Sequence, residues 1–504
     1  MPPGGAAESE ASGTKPATPV TPDAWRAAAL GLLAGGFAVG VLSGHKRLGA
    51  GVPLITAGVA LGCAVPVALA SRRPPITPEG AAVALAGASP MPTFSIVVGA
   101  RDEATVLRQL VADVSAQDYR VLDGSPLFEL IVVDDRSTDG TADAVEAAAA
   151  EHGIAAVTRV VLRRGEHLPD GKGAALTAAP PEMCTGEVVL VLDADARLEP
   201  WFLRRAAGYF AAGANAVTAR RRILDADSGW LAGAQADEQT LDGALTRGRW
   251  SMGGCSEFRG NGIMVRRELL AVVGGWRAAA LCEDIDLSRR IAAGAGERVA
   301  WALDAEVWEE PVRTVGSLWR QRLRWAEGAF RRLFEHGPAV VKSSKLPLGA
   351  RLDFVTYVCQ LAVPPVVVGA AAAAVATGRR RSLLSIVAGY LGISALLGWD
   401  ALRWERRSDG MALEARERFW RALRVSLFNG LWLLVVPKAL LDLALRRGPI
   451  QYVKMDHDGA GGPAASSDAA QSAASAAAPS SGRKTGRVRR PRSTPDKRQI
   501  SGDP

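Results

Sequence analysis

Long apolar stretches lie towards both ends of the chain, and a region of short alternating elements separates them. Near the N-terminus, Ala24–Gly44 and Val52–Ala70 are two apolar runs, each about long enough to cross a bilayer as a helix. A signal peptide would be followed by a cleavage site, not by a second run of similar length. The pattern therefore predicts two transmembrane helices within residues 23–73, and two buried core helices rich in Ala and Gly are the alternative.

The middle of the chain, residues 93–335, alternates short apolar runs rich in β-formers with amphipathic helical stretches. The predicted strands are Phe94–Val98, Leu130–Val133, Arg159–Leu162, Val188–Leu192 and Ala216–Ala219. The predicted helices are Glu103–Gln117, Thr141–Glu151, Trp230–Arg247 and Asp284–Ala293. Such alternation is typical of an α/β domain in which helices cover a mostly parallel sheet.

Apolar runs return within residues 353–445, at Phe354–Thr377, Leu383–Trp399 and Leu423–Leu441. They predict about three transmembrane or interfacial helices. Arg72 and Arg73 precede the α/β domain and further basic residues follow it, which favours a multi-pass cell-membrane protein whose α/β domain is cytoplasmic. An odd number of C-terminal spans would put the C-terminus on the other side, so an interfacial or re-entrant segment stays open.

Residues 1–22 and 455–504 are rich in Ala, Ser, Pro and Gly, which predicts disorder. The net charge is +8, but eight basic residues and one acid between residues 483 and 498 contribute +7 of it. A basic tail on a nearly neutral body predicts no nucleic-acid partner. The five cysteines include no CxxC pair, which excludes a disulfide scaffold.

Two apolar strands end in acidic residues. Asp134 and Asp135 close the run 130–133, and Asp193 and Asp195 follow the run 188–192 in a DxD pattern. Ligands bind at the carboxyl ends of strands in open α/β sheets, and residues two apart on an extended chain point the same way. The DxD pair therefore predicts an oxygen-ligated Mg²⁺ or Mn²⁺.

Two further motifs follow. Glu283 and Asp284 open a predicted helix, where acids also stabilise the helix dipole. Gln321, Arg324 and Trp325 form a QxxRW pattern, in a segment that could also be an amphipathic helix at the membrane surface.

The ordered set of DD, DxD, ED and QxxRW over residues 93–332 resembles the membrane-bound, inverting family 2 glycosyltransferases. The resemblance implies a GT-A type, Rossmann-like catalytic domain with a mostly parallel sheet, flanked by transmembrane helices. The segments Arg259–Gly262, Glu309–Glu310 and Arg324–Gly328 are most like those of the β-monoglucosyldiacylglycerol synthases.

The resemblance also implies a role for each motif residue. Asp284 would be the general base, and Asp195 would bind the divalent cation (Mg²⁺ or Mn²⁺) with help from Asp193. The residues implied to bind substrate are Ala100, Arg101, Glu103, Asp134, Asp135, Lys172, Asp193, Gln321, Arg324 and Trp325. Among these, Asp135 would bind the uracil edge, and the QxxRW residues would cap the diphosphate and acceptor site.

The implied reaction moves a hexose from a UDP-sugar, with UDP-glucose as the expected donor, to a membrane lipid. Diacylglycerol is the leading acceptor, and a single displacement would give a β-linkage. A processive β-polysaccharide synthase of the cellulose, chitin or hyaluronan type is the alternative. The small number of predicted spans favours the lipid acceptor, because polymer-secreting relatives usually carry more.

Overall fold

A computed structural model describes residues 22–44, 65–165, 167–407 and 410–445. The first predicted transmembrane run forms helix α1 (Pro22–Gly44). Most of the second run lies outside the described residues, as do the terminal segments that were predicted to be disordered. Residues 65–70, at the end of that second run, are helical.

The α/β region begins after a short helix, α2 (Pro78–Ala86). Its strands are β1 (Phe94–Ala100), β2 (Phe128–Asp135), β3 (Thr158–Arg163), β4 (Val188–Leu192), β5 (Arg197–Leu198), β6 (Ala216–Ile223), β7 (Ile263–Arg266) and β8 (Ala300–Glu309). Its helices are α3 (Ala104–Ser115), α4 (Thr141–Glu151), α5 (Lys172–Leu176), α6 (Phe202–Ala211), α7 (Trp230–Ser251), α8 (Arg267–Val272) and α9 (Glu283–Arg290).

The eight strands form one sheet in the order β3-β2-β1-β4-β7-β6-β8-β5. Strands β3, β2, β1 and β4 are parallel, and β6 is parallel to β8. Strand β7 runs antiparallel between β4 and β6, and β5 is antiparallel to β8. The prediction of a mostly parallel α/β sheet covered by helices is confirmed, and β2 and β4 carry their acidic ends to the same edge.

Successive residues of the inner strands enter two different cores, because side chains alternate across a sheet. In β1, Ile96 and Val98 pack with α3 and α6, whereas Val97 packs on the opposite face with α5 and α9. All three side chains are fully buried. Burial on both faces explains why these strands are continuous apolar runs without polar alternation.

The C-terminal region is helical: α10 (Val315–Lys342), α11 (Leu348–Leu361), α12 (Val363–Ala376), α13 (Arg380–Ala401), α14 (Ala415–Asn429) and α15 (Trp432–Leu445). By length and composition, four stretches of the described chain could cross a membrane: Asp23–Leu42, Leu348–Ala376, Arg381–Trp404 and Ala415–Leu445. Helices α1 and α12 pack closely, because Gly36 meets Pro365 and Gly40 meets the backbone of residues 366–370.

Candidate active site

The two acids at the end of β2 are buried and already bound by arginines. The Asp134 carboxylate accepts hydrogen bonds from Arg164 (2.9 Å) and from the Ser137 amide (3.0 Å). Burial alone would raise the pKa of Asp134, but these bonds outweigh it and lower the pKa. Asp135 accepts from Arg163 (2.6 Å). Both carboxylates are therefore paired with arginine at the sheet edge.

The loops beside this edge contain two non-glycine residues in the left-handed region, Asp102 (φ 53°) and Arg136 (φ 62°). Specific contacts hold both of them. Asp102 accepts from the Thr138 amide (2.7 Å), and Arg136 donates to Asp135 (2.9 Å) and Asp170 (2.7 Å). Backbone strain of this kind persists where surrounding contacts fix it, and it is concentrated at functional sites.

Asp170 also joins the end of β1 to this cluster, because Arg101, which follows that strand, donates to the Asp170 carboxylate (3.0 Å). Ala100 is buried at the end of β1, and Glu103 begins α3 beside it. The structure thus brings Ala100, Arg101 and Glu103 to the edge that carries the DD pair.

Lys172, the first residue of α5, lies between the DxD and ED motifs. Its ammonium donates to Asp193 (2.5 Å) and to the Gly260 carbonyl (2.9 Å), and it lies 3.5 Å from the Glu283 carboxylate. Burial opposes the charge on Lys172, but Asp193 and Glu283 outweigh it and raise the pKa. This lysine is therefore a fixed positive charge in the centre of the site.

The DxD pair follows β4, with Asp193 and Asp195 both partly exposed. Asn261 fixes the backbone at this point, because its side-chain oxygen accepts from the Asp193 amide (3.1 Å). Gly260 and Gly262 on either side have positive φ values of 79° and 72°. A side chain at Gly262 would also collide with Ala219, so glycine is required there.

The ED pair starts α9, and the two acids have different surroundings. Glu283 is buried, and burial raises its pKa to about 7 although Lys172 opposes the shift. Asp284 is less buried, and one of its carboxylate oxygens would lie 3.7 Å from a Cβ at Gly260. Burial also raises the pKa of Asp284. A carboxylate in this setting can accept a proton.

Asp286, one turn further along α9, joins that helix to α10. Its fully buried carboxylate accepts from Arg290 (2.8 Å), Arg332 (3.2 Å) and His336 (2.9 Å). Burial alone would raise the pKa of Asp286, but His336 and the arginines outweigh it and lower the pKa. Asp286, Glu335 and His336 are close enough together to resemble a metal site. Because arginines already neutralise Asp286, we assign the cluster a structural role.

The QxxRW motif lies on α10, the helix that Asp286 fixes. The Arg322 guanidinium lies 4.2 Å from the Trp325 ring, and Arg221 of β6 lies 5.5 Å from the same ring. Arg221 is paired with Glu309 at the end of β8 (3.0 Å). Both arginines are thus within cation–π distance of the Trp325 ring.

Helix α10 touches the ED segment directly at Gly328. A Cβ added there would lie 2.1 Å from the Cys282 sulfur, so only glycine allows this approach. Arg324, one turn earlier, is near enough to act on the Cys282 thiol, whose pKa is raised by burial and by Asp284 and lowered in part by Arg324. The QxxRW arginine and the ED acids therefore face one site.

Residues 91–328 match the family model described as "Glycosyltransferase like family 2". This part of the chain is a family 2 glycosyltransferase domain.

Among curated relatives, the beta-monoglucosyldiacylglycerol synthase of Nostoc sp. is 28% identical over 387 residues, which cover 74% of this chain and 78% of that protein. The poly-beta-1,6-N-acetyl-D-glucosamine synthase of Staphylococcus epidermidis is 26% identical over 51% of this chain and 59% of that protein. Among solved structures, a mannosyltransferase from Pyrobaculum calidifontis in complex with GDP-Man and Mn²⁺ has a TM-score of 0.48, with 22% identity over 83% of this chain and 99% of that one.

Within the glycosyltransferase domain, the structure brings the predicted residues into two groups. One group surrounds the ends of β1 and β2: Ala100, Arg101, Glu103, Asp134 and Asp135. The other joins the end of β4 to the starts of α5 and α9 and to α10: Lys172, Asp193, Asp195, Asp284, Gln321, Arg324 and Trp325. Gln321 contacts Arg322, which donates to its side-chain oxygen.

Sequence analysis missed several residues that position this site. Asn261 and Gly260 were noted only as part of a family-like segment, yet they contact Asp193 and Lys172. Arg221 was also missed, although three consecutive arginines at 220–222, directly after the predicted strand Ala216–Ala219, were a usable signal. A largely buried arginine in a strand needs an ion-pair or hydrogen-bond partner, and for Arg221 that partner is Glu309.

The close contact between Gly328 and Cys282 leads to a testable prediction. Gly328→Ala should displace Cys282 and the adjoining ED pair, and it should lower kcat by about 10²-fold, because a misplacement of about 1 Å can cost that much. Cys282→Ala removes the sulfur and should restore much of the activity in the double variant. Turnover of the two single variants and the double variant measures this coupling. Equal losses in Gly328→Ala with and without Cys282→Ala would contradict it.

Proposed function

We propose that the protein transfers a hexose from a UDP-sugar to a membrane lipid, with UDP-glucose as the donor, diacylglycerol as the acceptor and a β-linkage as the product. The observation that carries this proposal is that α10 contacts both the ED segment and the apolar helices. Arg332 of α10 donates to Asp286 of the ED helix, and Gly328 of α10 lies against Cys282, just before that helix. Phe330 and Leu333 of α10 pack with Ala29 of α1 and with α15 in one apolar cluster. Asp284, the general base in this proposal, therefore belongs to a segment joined to helices apolar enough to enter a membrane.

The charges of the site suit departure of a nucleoside diphosphate. As the sugar–phosphate bond breaks, negative charge grows on the leaving UDP, and fixed cations such as Lys172 and Arg324 stabilise it. The acceptor hydroxyl oxygen forms the new bond at the anomeric carbon, and Asp284 takes its proton. A single displacement inverts that carbon, so an α-linked donor gives a β-linked product.

Asp195, with Asp193, would hold a divalent cation. Both are carboxylates at a strand end and both are partly exposed, so the donor set fits the oxygen preference of Mg²⁺ or Mn²⁺. When bound, the cation would supply Lewis-acid stabilisation of the diphosphate. In this proposal Asp195 is the principal ligand, and Asp193 also holds Lys172.

Relatives support the lipid acceptor over the polymer. The Nostoc relative, named for glucosyl transfer to diacylglycerol, aligns with 74% of this chain, whereas the S. epidermidis polymer synthase aligns with 51%. Polymer synthesis remains the second candidate because of that relative. It requires a path for a growing chain as well as the transfer site.

The experiment is product analysis. Membranes containing the protein are incubated with diacylglycerol and labelled UDP-glucose, UDP-galactose or UDP-N-acetylglucosamine, and the products are extracted with organic solvent. Membranes with the Asp284→Asn variant are the matched control. We expect one glycolipid carrying a single β-linked glucose, formed only by the unmodified protein. A product ladder that lengthens with UDP-sugar and stays out of the organic phase would establish the polymer synthase instead.

A further inference from the structure

The family resemblance implies that Asp135 binds the uracil edge, but its carboxylate has little room for a ligand. The Asp135 side chain is 6% exposed. Its Oδ1 atom accepts from Arg163 (2.6 Å) and Arg136 (2.9 Å), and its Oδ2 atom accepts from Arg136 (3.3 Å). A ligand N–H group would have to displace a charged donor to bind either oxygen. Asp135 is therefore engaged first of all as the partner of two arginines.

Asp170 lies at the same edge and is open to solvent. Its side chain is 49% exposed. Its Oδ1 atom accepts from both Arg101 (3.0 Å) and Arg136 (2.7 Å). Among the residues that the structure describes, none donates a hydrogen bond to the Oδ2 atom of Asp170. The two arginines thus orient a carboxylate whose second oxygen can accept from a ligand.

Arginines also hold the backbone just before Asp170. Arg136 donates to the Leu168 carbonyl (3.2 Å), and Arg163 donates to the Pro169 carbonyl (2.8 Å). Arg136 does so from a left-handed backbone conformation (φ 62°), which glycine would adopt at lower cost. Each of its three side-chain nitrogens nevertheless has an acceptor. The side chain of this strained residue therefore positions Asp170.

Asp170 is also close in the chain to the centre of the site. Only Gly171 separates it from Lys172, and consecutive Cα atoms are about 3.8 Å apart, so the Cα atoms of Asp170 and Lys172 lie within about 8 Å. The Lys172 ammonium donates to Asp193 of the DxD pair. Asp170 thus lies between the DD edge and the residues proposed to act on the diphosphate. The nucleoside of a UDP-sugar bound at the DxD pair would lie in this region.

Uracil has one N–H donor on its pairing edge, at N3, between two carbonyl groups. Resting on the proposed UDP-sugar donor, we propose that Asp170 is a substrate-binding residue whose Oδ2 atom accepts a hydrogen bond from uracil N3–H. Arg136 and Arg101 are positioning residues that hold this carboxylate in place. Cytosine has an acceptor at N3 instead of a donor, so a carboxylate at this position also selects uracil over cytosine.

Ligands that differ only at N3 test the proposal. The full chain in nanodiscs is titrated calorimetrically with UDP and with N3-methyl-UDP, with Mn²⁺ present. A hydrogen bond to a charged group predicts that UDP binds about 10–100-fold more tightly than the methylated ligand. Asp170→Ala should weaken UDP binding by a similar factor and should bind the two ligands equally.

The possible failures are distinguishable. Preserved discrimination in Asp170→Ala, or equal binding of the two ligands by the unmodified protein, would overturn the assignment of Asp170 and leave the UDP-sugar donor in place. Loss of discrimination against 2′-deoxy-UDP, with the N3 preference intact, would place Asp170 at the ribose and would also overturn it. If the unmodified protein bound no UDP, the proposed donor itself would be wrong.

Two further variants separate base recognition from general effects. Asp118 is also exposed (44%) and pairs with Arg204 (3.0 Å), but it lies beyond the end of α3 that is far from the site. Asp118→Ala should therefore change neither UDP affinity nor discrimination. Arg136→Gly removes the positioning side chain and relieves the strained backbone, so the melting temperature should change little while the preference for UDP narrows. Full discrimination in Arg136→Gly would overturn the positioning role.

Discussion

Asp284→Asn should lower kcat by roughly 10²–10⁴-fold, the usual loss when a general base is removed. Binding of UDP should change little, because Lys172 and the β2 acids remain in place. Steady-state turnover together with calorimetric titration of UDP separates the two effects. Weakened UDP binding with nearly normal turnover would place Asp284 in the donor site instead.

The neighbouring acid provides the matched control. Glu283 is buried and lies 3.5 Å from the Lys172 ammonium, so Glu283→Gln should be milder than Asp284→Asn. The pH profile adds a second test. As the proposed general base, Asp284 must be deprotonated to act, and its pKa is raised, so kcat/KM should fall as pH falls through that raised value. Because Glu283→Gln removes a nearby negative charge, this acid limb should move to lower pH.

Asp195→Asn should abolish most activity, by about 10²-fold or more, while the protein stays folded. A Lewis acid at the diphosphate supplies several kcal/mol, and each ~1.4 kcal/mol is a factor of ten in rate. The variant loses one ligand oxygen at a partly exposed strand end, which costs little stability. Turnover over a range of Mn²⁺ concentrations, and Mn²⁺ binding followed by electron paramagnetic resonance with UDP present, measure the effect.

The control for the metal is removal and return of the ion. Excess chelator should stop the unmodified enzyme, and Mg²⁺ or Mn²⁺ should restore it. Full activity in excess chelator, or near-normal turnover and Mn²⁺ binding in Asp195→Asn, would remove the metal from the proposed mechanism.

The sheet was predictable because its signal is local. A run such as Val188–Leu192 is short, rich in β-branched residues and apolar at every position, as expected of a strand buried on both faces, and the acids that follow it lie at its carboxyl end. The short antiparallel strand β7 is different. It has four residues, and its place between β4 and β6 depends on pairing rather than on its own composition.

The contacts within the site could not be predicted in the same way. Nothing in the local sequence shows that Arg163 reaches Asp135, or that Gly328 makes room for Cys282, because each pair is brought together by packing of separate elements. Composition was also ambiguous for Ala415–Leu445. Its hydropathy suits a bilayer, yet Arg421 and Arg424 within it bind the buried carboxylate of Asp237.

The contacts of Asp286 determine how short a fragment of the enzyme can be made without losing partners of this buried carboxylate. A fragment that stops at residue 328, where the family match ends, lacks Arg332 and His336, and one that stops at residue 335 still lacks the histidine. Either cut leaves a fully buried carboxylate with fewer partners, and an uncompensated buried charge costs about 3–5 kcal/mol. A fragment that keeps every α10 partner of Asp286 must therefore extend at least through His336.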